Sequence, residues 1–126
     1  MTEFESITVL VVDDDPDARE LMQAILEQRG MTVVAADSVS RAFELLEETP
    51  PHIIISDIAM PEEDGVGFVQ RLRMLPIERL AKIPAIAVSA YVASSDRARA
   101  LKAGFDRYLH KPVDFDELIA SIKAVI

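Results

Sequence analysis

Short apolar runs rich in Val and Ile alternate along the chain with longer segments whose apolar positions recur with a helical period. The apolar runs predict five strands, at residues 7–12, 32–36, 53–56, 85–89 and 107–109. Because these strands are apolar at nearly every position, both faces of their sheet should be covered by helices. The pattern therefore favours a parallel sheet over an antiparallel one.

The first helix has clear boundary signals. Asp15 is placed as its N-cap, Pro16 as its first residue and Gly30 as its end. Its spacing predicts one apolar face made of Ala18, Leu21, Met22, Ile25 and Leu26.

Four further helices are predicted. They lie at residues 38–48, 65–74 and 94–104, and in a last segment that begins at Asp114. Glu117 follows Asp114 by three positions, which is a capping-box pattern. Residues 75–82 contain Pro76 and several charges and are somewhat longer than a minimal connection, so they are predicted to lie on the surface.

Five strand-then-helix units predict an α/β fold. We expect a doubly wound, five-stranded parallel sheet in the order 2-1-3-4-5, with five helices distributed over both faces. The whole chain, residues 1–126, is expected to be one domain with its core at about residues 7–125. Such sheets bind ligands at the carboxyl ends of their strands, near the point where the strand order reverses.

Composition limits the classes of function. The chain has 126 residues, 13 Lys plus Arg, 22 Asp plus Glu and no Cys, which gives a formal charge of −9. The missing cysteine excludes disulfides, thiolate metal sites and a cysteine nucleophile. The acidity disfavours direct binding to nucleic acid or to an anionic membrane. With no apolar run long enough for a membrane span or a secretory leader, a cytoplasmic location is expected.

Acidic residues follow two of the predicted strands. Asp13, Asp14 and Asp15 come after the first strand, and Asp57 comes after the third. Carboxylates gathered at one edge repel each other unless a hard cation lies among them, and oxygen ligands suit Mg²⁺ or Mn²⁺. The alternative is that Asp15 caps a helix and the others are solvated loop charges.

Two further polar residues lie at the ends of the fourth and fifth strands. Ser89 ends the fourth strand, and Lys111 follows the fifth. A hydroxyl and an ammonium beside an acidic metal site are groups that bind phosphoryl oxygens. Because Pro112 follows Lys111, the bond between them is a candidate cis peptide.

These segments resemble the response-regulator receiver domain of two-component signalling, which has the flavodoxin-like (CheY-like) fold. The motifs are VLVVDDDP, IIISDIAMPEEDG, AVSAY and AGFDRYLHKPVD, and the resemblance extends from about Ile7 to Val125. It implies that Asp57 is the phosphoacceptor. The implied roles of the other residues are Mg²⁺ binding by Asp13, Asp14, Asp57 and the backbone carbonyl of Ala59, phosphate pairing by Lys111, and a conformational switch at Ser89 and Tyr108.

The resemblance also implies partners. A histidine kinase or a histidine phosphotransfer protein would donate the phosphoryl group, docking on Ala18, Met22, Pro112 and Val113. The fourth helix, fifth strand and fifth helix would then change for a downstream protein or a covalently attached kinase domain. Ala59 and Tyr91 offer no polar group suited to positioning an attacking water, so hydrolysis should be slow. The chain should catalyse only its own phosphorylation and dephosphorylation.

Three alternatives compete with this interpretation. A phosphatase with an aspartate nucleophile would need a second acid two residues after it, but Asp57 is followed by Ile58 and Ala59. A flavin or dinucleotide module would need a glycine- or hydroxyl-rich loop after the first strand. A receiver-like docking module without phosphorylation would be expected to lack a key residue, and none is missing. His52 and His110 are expected at the solvent edge.

Overall fold

The computed structural model describes residues 4–60, 63–90 and 94–126. The strands are β1 (Thr8–Val12), β2 (Thr32–Ala36), β3 (Ile53–Asp57), β4 (Ala85–Ser89) and β5 (Arg107–His110). The helices are α1 (Pro16–Gln28), α2 (Val39–Glu48), α3 (Gly65–Arg73), α4 (Glu78–Ala81), α5 (Ser94–Ala103) and α6 (Phe115–Val125).

All five strands form one parallel sheet, in the order β2-β1-β3-β4-β5. The predicted fold class and strand order are therefore confirmed. Val12, the last residue of β1, is in register with Ala36 on one side and Ser56 on the other. This register brings the residues that follow β1 and β3 to the same edge of the sheet, which is the carboxyl edge.

Each face of the sheet has its own core. Leu10, Ile54 and Ala87 belong to the core under α2, α3, α4 and α5. Their neighbours Val9 and Ile53 belong to the core under α1 and α6. Successive strand residues point to opposite faces, so a strand that is buried on both sides must be apolar at every position.

Side-chain caps begin four of the helices. Asp15 accepts a hydrogen bond from the backbone N–H of the residue two positions on, and Ser38, Asp64 and Asp114 accept from residues three positions on. Each cap is worth about 1 kcal/mol. The predicted starts of α1 and α6 rested on Asp15 and Asp114, which explains why both were located correctly.

Two of the sequence predictions were wrong. Within residues 4–60, 63–90 and 94–126 the structure has six helices rather than five, because α4 forms inside the segment predicted to be a surface connection. This helix buries Leu80 against the core under α2 and α3. The face predicted for α1 also differs, since Leu21 is 57% exposed and only Leu26 of α1 is fully buried.

Within the described ranges, no helix combines the length and the apolar character needed to cross a membrane.

Candidate functional site

Three carboxylates converge at the carboxyl edge of the sheet. Asp13 follows β1 and Asp57 ends β3, and they are only 7% and 8% exposed, whereas Asp14 is exposed. One oxygen from each of the three lies within 4.8 Å of the others. Oxygen-only ligands at this spacing fit a hard divalent cation, so the cluster could hold a metal ion.

Backbone groups fix one oxygen of each buried carboxylate. The N–H of Ile58 donates to Oδ1 of Asp57 at 2.8 Å, and the N–H of Asp15 donates to Oδ1 of Asp13 at 2.9 Å. Nη1 of Arg19 donates to the carbonyl oxygen of Asp13 at 2.7 Å, which holds the turn after β1. Both carboxylates are therefore oriented by their own loops, and their Oδ2 atoms remain for other contacts.

Those Oδ2 atoms face Lys111. Its Nζ lies 3.2 Å from Oδ2 of Asp13 and 3.4 Å from Oδ2 of Asp57. The backbone N–H of Lys111 donates to the carbonyl oxygen of Ser89 at 2.8 Å, which ties the end of β5 to the end of β4. The Lys111–Pro112 peptide bond is cis.

Burial and neighbouring charges raise the pKa of two groups in the site, for different reasons. Burial, reinforced by Asp13, raises the pKa of the Asp57 carboxyl despite the opposing charge of Lys111 and the hydrogen bond from Ile58. Burial alone would lower the pKa of Lys111, but Asp57 and Asp13 together raise it. The ammonium is therefore held charged, while the negative charge on Asp57 is only partly compensated.

Gly65 shapes the loop that presents Asp57. A Cβ at this position would lie 2.4 Å from the carbonyl oxygen of Asp57, and the N–H of Gly65 donates to the carbonyl oxygen of Ile58 at 2.8 Å. Only glycine permits this approach of α3 to the loop. The sequence analysis used Gly65 only as a helix boundary, and its role in the site depends on a contact that sequence does not display.

The other predicted site residues occupy different environments. Ser89 is fully buried at the end of β4, and Tyr108 is 4% exposed within the core under α2 to α5. Ala59 is exposed. Tyr91 lies outside the described residues. His52 and His110 are both exposed, as predicted.

An apolar cavity of about 270 Å³ adjoins the carboxylates between α1 and α6. All four predicted docking residues line it, namely Ala18, Met22, Pro112 and Val113. Leu21 and Phe115 also line it and are 57% and 38% exposed, although the sequence analysis placed Leu21 only on the apolar face of the first helix and did not single out Phe115. Sequence periodicity alone does not show which apolar residues of a helix are exposed, so it could not assign these two residues to the cavity.

Comparison with known proteins identifies the family to which this site belongs. The family model for the response regulator receiver domain matches residues 9–123, so the chain belongs to the response-regulator receiver family of two-component signalling. The match includes every carboxylate of the cluster as well as Lys111 and Ser89.

Several relatives share this segment. An uncharacterised 14.6 kDa protein of Leptolyngbya boryana is 44% identical over 98% of this chain and 92% of its own length. Response regulator Rre1 of Synechocystis is 37% identical over 97% of this chain, and the phosphate regulon transcriptional regulatory protein PhoB of Escherichia coli is 36% identical over 94%. The chain spans about half the length of these last two proteins, 52% and 51% respectively.

Solved structures agree with the fold. The receiver domain of a Francisella response regulator has a TM-score of 0.85 at 29% identity, covering 95% of this chain and 96% of that one. The signal receiver domain of a signal transduction histidine kinase from Syntrophus aciditrophicus also has a TM-score of 0.85, at 31% identity, covering 95% of this chain and 89% of that one.

Proposed function

We propose that this receiver domain accepts a phosphoryl group on Asp57 from a phosphohistidine of a histidine kinase or histidine phosphotransfer protein. The observation that carries the proposal is the clustering of three carboxylates, two of them beside one lysine, with Lys111 Nζ within 3.4 Å of Asp57 and 3.2 Å of Asp13. A structural ion pair would need only one of these carboxylates. Clustering three of them at one partly buried point favours a site that receives a cation and an anionic group.

The chemistry follows from the two oxygens of Asp57. Oδ1 is held by the N–H of Ile58, and Oδ2 acts as the nucleophile on phosphorus. The new O–P bond forms as the P–N bond to the donor histidine breaks, which leaves an acyl phosphate on Asp57 and returns the electron pair to the imidazole. Lys111, already beside Oδ2, pairs with a phosphoryl oxygen, and Ser89 at the end of β4 contributes its hydroxyl to the same group.

Mg²⁺, or Mn²⁺, is the cofactor that this donor set fits. Asp13, Asp14 and Asp57 would hold it, with the backbone carbonyl of Ala59 as a further ligand. When bound, the cation supplies positive charge that offsets the phosphoryl oxygens.

The switch is proposed to connect Ser89 to Tyr108. Both side chains are buried, at the end of β4 and on β5 respectively, so inward movement of Ser89 toward a phosphoryl group would change the packing available to the Tyr108 ring. That change would alter the surface of α5, β5 and α6, the elements that the sequence analysis numbered as the fourth helix, fifth strand and fifth helix. A downstream protein or an attached kinase domain would respond to this surface.

Donor docking is proposed at the apolar cavity between α1 and α6. Ala18, Met22, Pro112 and Val113 line it beside Asp57, and the exposed Leu21 is added to this surface by the structure. A donor histidine must approach Asp57 from this edge. The proposed setting is the cytoplasm.

The alternatives receive less support. The family match favours a receiver over a phosphatase, and Ala59 supplies no acid two residues after Asp57. A docking module without phosphorylation would not need the three-carboxylate cluster. Enzyme activity beyond the domain's own phosphorylation and dephosphorylation is therefore not part of the proposal.

Mass spectrometry tests the phosphoacceptor. Protein incubated with acetyl phosphate and Mg²⁺, then quenched in acid, should gain one phosphoryl group, and Asp57→Asn should gain none. Asp116→Asn is the matched control, since it removes an exposed carboxylate from α6 and should leave labelling unchanged. Labelling that persists in Asp57→Asn would refute the assignment.

A further inference from the structure

A second apolar surface lies on the side of the sheet that α2, α3 and α4 cover. Among the large apolar side chains that are exposed in the described residues, Leu21 and Phe115 line the cavity beside the carboxylates. Met74 and Ile77 lie elsewhere, just after α3 and just before α4, and they are 83% and 48% exposed. The proposed docking of the phosphodonor uses neither of them.

Two cavities join these residues into one surface. Phe43, Met74 and Leu75 line the larger cavity, which has a volume of about 690 Å³. Phe43, Leu75 and Ile77 line the smaller one, of about 110 Å³. Because Phe43 and Leu75 line both cavities, the two adjoin each other. We call the surface made of Phe43, Met74, Leu75 and Ile77 the α2–α4 groove.

The floor of the α2–α4 groove is fixed by the core beneath it. Phe43 and Leu75 are partly buried and pack against that core, in which Leu80 of α4 is buried. The ring of Phe43 also meets the ring of Phe68 edge-on, with 5.2 Å between their centroids. A groove whose floor is already packed needs little ordering when a partner binds, which favours affinity.

The charges that line the groove leave an excess of negative charge. Arg71 lies over the ring of Phe43, 4.4 Å from its centroid, and its guanidinium is ion-paired with Glu63. Glu47 lines the smaller cavity and is exposed, and within residues 4–60, 63–90 and 94–126 it forms no ion pair. Arg79 of α4 is exposed but lines neither cavity. A positively charged partner would therefore be favoured at Glu47.

We infer that the α2–α4 groove binds an amphipathic helix of a partner protein, with apolar side chains on the groove and Lys or Arg toward Glu47. A helix is favoured because no strand residue lines either cavity, whereas an extended partner would need an open sheet edge. A second copy is disfavoured, since two chains of charge −9 repel each other and each would bring its own Glu47. The inference does not depend on phosphorylation of Asp57, because the groove shares no lining residue with the cavity at the carboxyl edge.

Nuclear magnetic resonance titration of the full chain with a helical peptide tests the inference. The probe is a peptide of about sixteen residues made of Ala, Leu and Lys, with Leu at every third or fourth position. Amide shifts should concentrate on residues 39–48 and 71–80. Met74→Ser combined with Ile77→Ser should raise the Kd about tenfold or more, because the exposed apolar contacts are lost.

A second double variant is the matched control for apolar exposure. Leu21→Ser combined with Phe115→Ser removes the exposed apolar pair at the carboxyl edge. The Kd read from the shifts of residues 39–48 and 71–80 should then stay within about twofold of the wild-type value. Equal weakening in both variants would show that the peptide binds any exposed apolar side chain and would overturn the inference. Far-UV circular dichroism verifies that both variants are folded.

A matched pair of single variants tests the charge. Glu47→Lys should raise the Kd about fivefold at roughly 50 mM salt, where surface charges are little screened. Glu27→Lys makes the same change of charge at an exposed position of α1, on the other side of the sheet, and should leave the Kd within about twofold. Equal weakening by both would mean that only net charge matters, and a probe with Glu in place of Lys that binds as tightly would overturn the basic partner.

Other outcomes separate the competing occupants. Dimerisation that disappears in the Met74 and Ile77 variant, measured by sedimentation, would replace the partner helix with a second copy of this chain. Binding to phosphatidylcholine vesicles that disappears in the same variant would replace it with a lipid surface. Wild-type protein that binds the peptide but is not labelled by acetyl phosphate would overturn the proposed function and leave the groove standing.

Discussion

Charged residues are paired differently at the two edges of the sheet, the carboxyl edge where the strands end and the amino edge where they begin. At the carboxyl edge, one ammonium faces two buried carboxylates and a third lies exposed beside them. At the amino edge, the guanidinium of Arg73 donates to the carbonyl oxygens of Gly104, Ala81 and Ile83, at 2.6 to 3.1 Å. The first arrangement leaves negative charge uncompensated, whereas the second satisfies a half-buried cation almost entirely with backbone oxygens.

At the amino edge, one arginine connects several elements of the fold. Arg73 also reaches Asp106 at 3.3 Å, and it therefore links the end of α3 with α4, with the start of β4 and with the turn between α5 and β5. Gly104 has a φ of 131°, and a Cβ there would lie 2.8 Å from Cγ of Arg73. The two edges therefore differ in charge balance, since the carboxyl edge carries uncompensated negative charge and the amino edge pairs its cation with acceptors.

The largest expected effect is on the amino edge. Arg73→Ala should lower the free energy of unfolding by about 3 kcal/mol, because several carbonyl oxygens lose their donor. Arg73→Lys keeps the charge but loses the planar fork, so it should cost roughly half as much. Urea melts measure both. If Arg73→Ala also abolished the effect of Mg²⁺ on stability, the two edges would not be separable.

Mg²⁺ should act on the carboxyl edge alone. At about one hundred times its dissociation constant, the ion should stabilise the fold by about 2.7 kcal/mol, or several degrees in Tm, since it binds the folded state and relieves carboxylate repulsion. Thermal melts with Mg²⁺ and with chelator provide the measurement. Asp13→Asn should lose most of the shift, while identical melts of the wild type in the two conditions would rule out the metal site.

Hydrolysis of the acyl phosphate should be slow at this edge. Ala59 offers no side-chain hydrogen bond to water, and Tyr91 was chosen from the sequence as the second position bordering the path. Ala59→Asn with Tyr91→Glu should speed dephosphorylation about tenfold, which corresponds to ~1.4 kcal/mol. Decay of labelled protein after removal of the donor tests this prediction, and a double variant that decays at the wild-type rate would contradict it.

The smallest expected effect is on the free energy of unfolding, and it comes from the uncompensated negative charge of Asp57. Burial raises the pKa of Asp57, which means that ionising this carboxyl costs more free energy in the folded protein than in the unfolded chain. The ionised carboxylate therefore lowers the stability of the fold at neutral pH. Asp57→Asn should therefore stabilise the metal-free protein by about 1 kcal/mol, the size of a screened contact between charges. Urea melts with chelator at pH 7 measure it. A destabilised variant would mean that Asp57 is structural, as Arg73 is.

The sequence predicted the carboxyl edge better than the amino edge, for a physical reason. Asp13 and Asp57 follow apolar strands, and parallel topology alone brings such residues together. Arg73 lies within a helix pattern, and its acceptors are carbonyl oxygens, which every residue possesses. The sequence therefore offered no feature that set Arg73 apart from the other arginines.

Missed local features have a similar explanation. The four residues of α4 are too few to show a helical period, so the segment was predicted only as a surface connection. Leu21 fitted the apolar period of α1, but position relative to α6, and not periodicity, determines whether that face is covered. Gly65 was recognised as a boundary, yet its closeness to Asp57 is a tertiary contact.

The ion pair between Asp13 and Lys111 joins positions 98 residues apart in the chain. During synthesis, Asp57 and the acidic pair leave the ribosome long before Lys111 does. A nascent chain would therefore hold Asp57 without the ammonium that faces it, and the site would be complete only once β5 had been made and folded. Under the proposed function, reactivity of Asp57 toward a small phosphodonor would accordingly report that synthesis and folding have reached β5.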